Sequence, residues 1–345
     1  WLITFSKCYE INPDKKFLDK ARDLADYLIS YASRPQGYSF HHRNSPNWDK
    51  CNGLIGQAWT IEALSCAALI LDEPRYAKIG EEVFFQHKFN PEIGLWNRLE
   101  IDGNILSIDD TFNHQLWFAA CASLLKTPRQ DEIRKMLIRF MECLHENISV
   151  LDSGLIYHPI ERELNVDEVG VSLSRSNLKN AIKSFFSFLK EPEANGKGNA
   201  EFRTKMISKS IGYHQFNMYA FAMLKNAIPK HGFWLSEEFN KSIGFLMSKE
   251  YKNGIHDNQY GYPYNPPGYE VPYALNVLTN MTQDEIFDEA SWWVNEQFTR
   301  CYSPMSKMMN RNTSDPLTHT ARIYECTRFP ISLLERIEIE MERIL

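Results

Sequence analysis

The feature that most constrains this chain is an alternation between two kinds of helix. Asn52 to Leu71 reads NGLIGQAWTIEALSCAALIL and is nearly apolar on every side, with small residues at Gly53, Gly56, Ala58, Ala63 and Ala67. Such a helix is stable only when neighbours cover it all round. The next run, Pro74 to His87, is charged along one face, as a surface helix is. The pair recurs as Asp109 to Lys126 with Gln130 to Glu146, Gly212 to Lys225 with Ser236 to Tyr251, and Tyr269 to Leu278 with Gln283 to Phe298. Thr318 to Thr327 with Ile331 to Leu345 closes the series, and Leu2 to Glu10 with Asp14 to Ser33 opens it. Apolar members start at 52 and 109, and again at 212 and 269, 57 residues apart each time. A repeated helical hairpin signals a solenoid or a closed ring. A solenoid needs polar caps, whereas both ends of this series stay apolar. The expected fold is therefore all-α: one (α/α)6 toroid over residues 1–345, with apolar helices inside and amphipathic ones outside.

Residues 148–210 break the register. They are polar, contain EANGKGNAE and offer one amphipathic candidate helix, Ser176 to Leu189. They read as an insertion or lid, or as a degenerate seventh pair. Strand patterning is confined to pieces such as LWNRLEID, which predicts a small hairpin turning at Asp102-Gly103. No stretch approaches 18 uninterrupted apolar residues, so no membrane span is expected. The net charge is −6 with no basic block, which disfavours a nucleic-acid partner. Seven cysteines without a CxxC spacing fit a reducing compartment, and a cytoplasmic location is the expectation. Phosphate-binding glycine loops, HExxH and GxSxG are absent. No metal or cofactor is expected.

In a ring, the loops that lead into the inner helices open onto one mouth. A polar residue in an otherwise apolar run is costly to bury without a partner. Such residues recur near the inner-helix starts: Asn52 and Gln57; Asp109, Asp110, Asn113 and His114; Tyr213, His214 and Asn217; Tyr269 and Glu270; Arg322 and Glu325. The adjacent pair Asp109-Asp110 is the sharpest of them. One carboxylate suffices to cap a helix, and the second is free to act as acid or base. Asp110 and His114 are four apart and share a helix face. His214 lies at a matching place in another hairpin, so His114 and His214 read as an acid/base couple across the ring. A lone His or Asp at these places also reads as core or cap. Glu270 and Glu325 are candidates for a second carboxylate, although Arg322 stands three before Glu325 and pairs with it in the simplest reading. Trp59, Trp117, Tyr213 and Tyr269 offer stacking surfaces for sugar rings, and the amides offer partners for hydroxyls. Trp48 and Asp49 lie at the rim. Arg43 and Arg322 are the cations placed to meet an acidic sugar.

With NGLIGQAWTIEAL, DDTFNHQLW and GYHQFNMYAFAML at its inner-helix starts, the chain resembles the six-hairpin glycosidase-like superfamily. It is also similar to proteins encoded in surface-glycan assembly clusters. The resemblance implies an (α/α)6 fold with an oligosaccharide or polysaccharide held at one mouth. By likeness to uronyl hydrolases, Asp109 or Asp110 protonates a uronic-acid-containing substrate. By likeness to sugar 2-epimerases, His114 and His214 shuttle a proton. A third reading keeps the ring as a non-catalytic glycan-binding protein. Zinc-dependent toroids are disfavoured because their Cys-His-Gly signature is absent. Class II terpene cyclases carry an acidic residue two places before their acidic pair, where this chain has Ser107.

Overall fold

The computed structural model describes residues 1–160 and 196–344. The candidate helix Ser176 to Leu189 lies outside the described residues. In chain order, α1 (Leu2–Ile11) pairs with α2 (Lys15–Ile29), and α3 (Gly53–Ile70) with α4 (Pro74–Gln86). A three-stranded antiparallel sheet follows, made of β1 (Phe89–Asn90), β2 (Leu95–Leu99) and β3 (Ile105–Ile108). Then come α5 (Phe112–Ala122), α6 (Gln130–Glu142) and α7 (Leu144–Asn147). The next inner helix is α8 (Gly196–Ala227), backed by α9 (Glu237–Leu246) and α10 (Lys249–His256). The last elements are α11 (Pro267–Leu278), α12 (Gln283–Cys301), α13 (Pro316–Ala321), a 3-10 turn over Arg322–Arg328 and α14 (Ile331–Leu334).

Packing between these elements closes a ring. α1 lies on α3, α3 on α5, α5 on α8, α8 on α11, α11 on Arg322–Arg328, and that turn on α1. The fold is the all-α (α/α)6 toroid. The same turn also reaches α3: Tyr324 Oη donates to Glu62 Oε2 at 3.2 Å, and Arg328 pairs with the same carboxylate.

The inner ring is apolar because each of its helices has neighbours on both flanks and at its back. In α5, Leu116, Trp117, Phe118, Ala119, Ala120, Cys121 and Ala122 are all fully buried. Trp117 stacks on Phe216 at 4.3 Å and on Tyr219 at 5.5 Å, and its indole N–H donates to the Phe216 carbonyl. Burying a ring of that size removes roughly 200 Å² from water, about 5 kcal/mol before entropy is counted. Outer helices start on ordinary caps. Asp14 caps α2, Ser236 caps α9, and Thr282 with Glu285 forms a capping box on α12.

Several boundaries differ from expectation. The helix expected to start at Gly212 starts at Gly196, so the polar residues 196–210 form its first half. Ser236 to Tyr251 is broken at Met247-Ser248, where Ser248 caps a new helix. The last outer helix covers only Ile331–Leu334, because the charged sequence after it has no continuous apolar stripe. The hairpin at Asp102-Gly103 is present, with the Gly103 N–H donating to the Glu100 carbonyl. By length and composition α3 is apolar enough to cross a membrane; in this fold two-thirds of it is buried against the ring.

Candidate active site

One mouth of the ring is stitched by a chain of hydrogen bonds. Asp109, just ahead of α5, accepts from the Leu54 N–H that opens α3, at 3.0 Å. Phe112 N–H donates to the His158 carbonyl, and His158 N–H donates to Ser210 Oγ on α8. Asn258 and Asn265 donate back to the α8 carbonyls of Ser208 and Gly212. Arg322 then donates to Asn265 Oδ1 at 2.6 Å. Gly212 permits this closeness, since a Cβ there would lie 2.4 Å from Tyr260 Cβ.

At the centre of this stitching, Asp109 Oδ2 accepts from His114 Nδ1 at 2.9 Å. Asp109 is 4% exposed, while the His114 side chain is 26% exposed. Burial alone would raise the Asp109 pKa. His114, the Leu54 N–H and the Arg98 charge outweigh it and hold the carboxyl below its ordinary value. The contact depends on Gly53, at φ +57°, where a Cβ would sit 2.6 Å from Asp109 Oδ2 and 3.2 Å from His114 Nδ1. Asp110 is exposed, and its carboxylate meets no partner among the described residues; its backbone carbonyl accepts from Ile160. The carboxylate that meets His114 is thus the one five residues before it, not four.

Beside this pair, Asp49 holds two cations. Its carboxylate accepts from Arg43 Nη2 at 2.9 Å, Arg98 Nη1 at 2.8 Å and the Gly53 N–H at 2.8 Å. Arg43 also donates to Asn52 Oδ1 at 2.8 Å, and its guanidinium lies 5.3 Å from the exposed ring of Trp48. Arg98 also acts on Asp109, so two arginines here face two carboxylates. Sequence reading missed Arg98, whose signal is weak: one polar residue in the alternating strand LWNRLEID.

Several expected site residues stand elsewhere. His214 is fully buried on the outer side of α8: Nε2 donates to the Ser242 carbonyl at 3.0 Å, and its ring meets Phe245 edge-on at 5.0 Å. Burial pushes its pKa down to about 4. The structure does not bring it to His114, because adjacent residues on a helix point about 100° apart, and Tyr213 takes the inward direction. Gln57 is spent on the backbone of Phe40 and Cys51. Trp117 is core.

Arg322 does not face solvent. It donates to Glu325, Glu270, Asn265 and the Tyr264 carbonyl, which leaves no free edge for a ligand carboxylate. Burial, then the second carboxylate, raises Glu270. Burial likewise pushes Glu325 up to about 7 against the pull of Arg322. Two buried carboxylates thus face one guanidinium, and burial drives both towards their neutral forms.

Trp59 Nε1, Asn113 Oδ1, Asn217 Oδ1 and Tyr269 Oη are buried with no partner among the described residues. Trp59 lines a cavity of about 210 Å³ with Glu62, Arg322 and Tyr324. Among the described residues no three His, Cys, Asp or Glu side chains gather as metal ligands.

No known family profile matches the chain. Archaeal glycosylation protein Q of Haloferax volcanii is 36% identical over 329 residues, covering 95% of this chain and 85% of that protein. The chain belongs to the family of archaeal glycosylation protein Q. A solved structure, a glycosyl hydrolase family 88 protein from Bacteroides vulgatus, aligns with 72% of this chain at 12% identity and a TM-score of 0.42. The chain spans 59% of that protein's length. The ring itself rests on the helix packing described above.

Proposed function

We propose that the chain is a glycan-processing enzyme that hydrolyses a glycosidic bond next to a uronic acid. The observation that carries this reading is the partly exposed His114 held by buried Asp109, beside two arginines clamped on Asp49. The acid/base group is then the imidazole and not a carboxylic acid, because Asp109 is held in its ionised form. Asp109 fixes Nδ1–H and stabilises the imidazolium, which leaves Nε2 to give its proton to the departing glycosidic oxygen. Water supplies the hydroxyl to the sugar carbon and returns the proton to the site. Arg43 and Arg98 hold the substrate carboxylate. The name of the Haloferax relative, which concerns glycosylation, agrees with a sugar substrate. The epimerase reading built on His114 and His214 is not favoured, since His214 faces α9.

The test is proton NMR of the chain with a panel of uronic-acid oligosaccharides in deuterated water. New reducing-end signals, lost in Asp109→Asn with its circular dichroism unchanged, support the proposal. Deuterium exchange at a sugar carbon without cleavage, or turnover that survives Asp109→Asn, overturns it.

A further inference from the structure

The proposed chemistry uses the α3 side of the mouth and leaves the α8 side unexplained. There, four rings gather around Tyr213. His158 lies 4.6 Å from it, Tyr264 at 6.0 Å, Phe216 at 6.0 Å and Tyr260 at 6.2 Å. Tyr264 is 50% exposed, so this wall reaches solvent. A structural cluster of tyrosines would be expected to satisfy its polar neighbours, yet His158, only 6% exposed, has an Nδ1 without a partner among the described residues. Its backbone is held by Phe112 and by Ser210, and its ring packs against Tyr213. Burial first, then Lys209 and His114, push its pKa down to about 3, and the imidazole is neutral. A neutral imidazole has one N–H and one lone pair, which a sugar hydroxyl can match with a single oxygen. Two cations stand at this wall: Lys209 lies 5.7 Å from the centre of the Tyr213 ring and packs on it, and Arg322, 5.1 Å from the Phe216 ring, is taken up by Glu270 and Glu325. Among the described residues the wall has no pair of arginines comparable to Arg43 and Arg98.

We infer that Tyr213, Tyr260, Tyr264 and His158 form a second sugar subsite, which takes an uncharged pyranose adjoining the acidic one. The inference rests on the hydrolytic reading of the mouth. The tyrosine faces receive the C–H face of the ring, and His158 pairs with one of its hydroxyls. The substrate is thus a glycan of at least two sugars, with the acidic residue on the Asp49 side of His114 and the neutral one on the α8 side.

Calorimetric titration of the Asp109→Asn chain, with methyl glucuronide and with a glucuronyl-glucose disaccharide, tests this. The disaccharide should bind about tenfold more tightly than the monosaccharide. Tyr264→Ala and His158→Phe should each reduce that ratio about fivefold or more, and His158→Gln, which keeps a donor and an acceptor, should restore part of it. Tyr264 is half exposed, so its variant folds; circular dichroism checks the His158 variants. A disaccharide that binds no more tightly than the monosaccharide sinks the subsite and leaves the acidic-sugar reading standing. So does an equal loss for both ligands in Tyr264→Ala and His158→Phe. Failure of both ligands to bind even the unsubstituted chain overturns the acidic-sugar reading and the subsite with it.

Discussion

Replacing Arg322 by Met tests the buried Glu270–Arg322–Glu325 group directly. Arg322 is 6% exposed, and both glutamates are fully buried. Its guanidinium donates to Glu325 Oε1 at 2.6 and 3.0 Å, to Glu270, to Asn265 Oδ1 at 2.6 Å and to the Tyr264 carbonyl at 3.2 Å. Removing one partner of a buried ion pair costs about 3–5 kcal/mol. Two orphaned acceptors add about 1 kcal/mol each. The expected loss at pH 7 is then about 5–7 kcal/mol, comparable to the whole stability of many domains. Glu270→Gln makes the opposite prediction. Burial raises Glu270 further than Glu325, and glutamine has the shape of a protonated glutamate, so the cost should stay below about 1 kcal/mol. The pH dependence separates the two further. The folded-state pKa of Glu325 is raised from 4.5 to about 7, so its favourable contribution is complete below 4.5 and is lost as pH rises to about 7. The Arg322→Met loss should therefore shrink as pH falls from 8 to 5. Guanidinium unfolding followed by circular dichroism at those pH values reads both variants. If Glu270→Gln costs as much as Arg322→Met at pH 7, burial does not neutralise Glu270 and the reasoning is wrong.

Asp109→Asn should lower turnover about 10²- to 10⁴-fold, because without the carboxylate that fixes its Nδ1–H the His114 acid/base is misoriented, in a steady-state assay of reducing ends. Because the folded-state pKa of Asp109 is depressed, its stabilising contribution is present above the ordinary value of 3.8 and fades as pH falls below it. Acid unfolding of Asp109→Asn between pH 5 and 2 should accordingly be flatter than that of the parent chain. Arg98→Met should raise KM for a uronate glycoside about tenfold or more, from the loss of one charge-assisted bond, and should weaken the salt dependence of kcat/KM. Gly53→Ala, at φ +57° and 2.6 Å from Asp109 Oδ2, should cost about 1–2 kcal/mol in a thermal melt for the backbone alone and should also abolish turnover. Unchanged activity there would show that the Asp109–His114 contact is not needed.

The ring was legible in the sequence because its signal is burial from every direction, which a partly exposed helix never shows. α3 and α4 fall within one residue of their expected limits. The first half of α8 was not legible, because FRTKMISKS is polar and no apolar stripe marks its continuation into Tyr213. Asp109 and His114 stood out as polar residues in an apolar run, and the structure joins them. Asp110 and His214 stood out on the same grounds and are placed apart, since the rule does not tell which of two neighbours points inward. Arg98 acquires its place through bonds to Asp49, 49 residues away, and to Ser107, and His158 through backbone bonds to two different helices. Pairings of that kind have no local trace.

Closure of the ring also fixes the size of what it can hold. Packed helices lie about 8–10 Å apart, and six of them in a closed hexagon put each axis about 9 Å from the centre. A helix with its side chains has a radius of about 5–6 Å, which leaves a bore of only about 3–4 Å in radius. That gauge is quantised: no point substitution can widen it, and only a whole extra hairpin would. The bore fills with Glu270, Arg322, Glu325 and Tyr324, and everything larger than a few atoms stays at the rim. Differences in substrate between such rings must then be written in the loops and overhangs that crown the mouth, while the barrel of helices stays at one calibre.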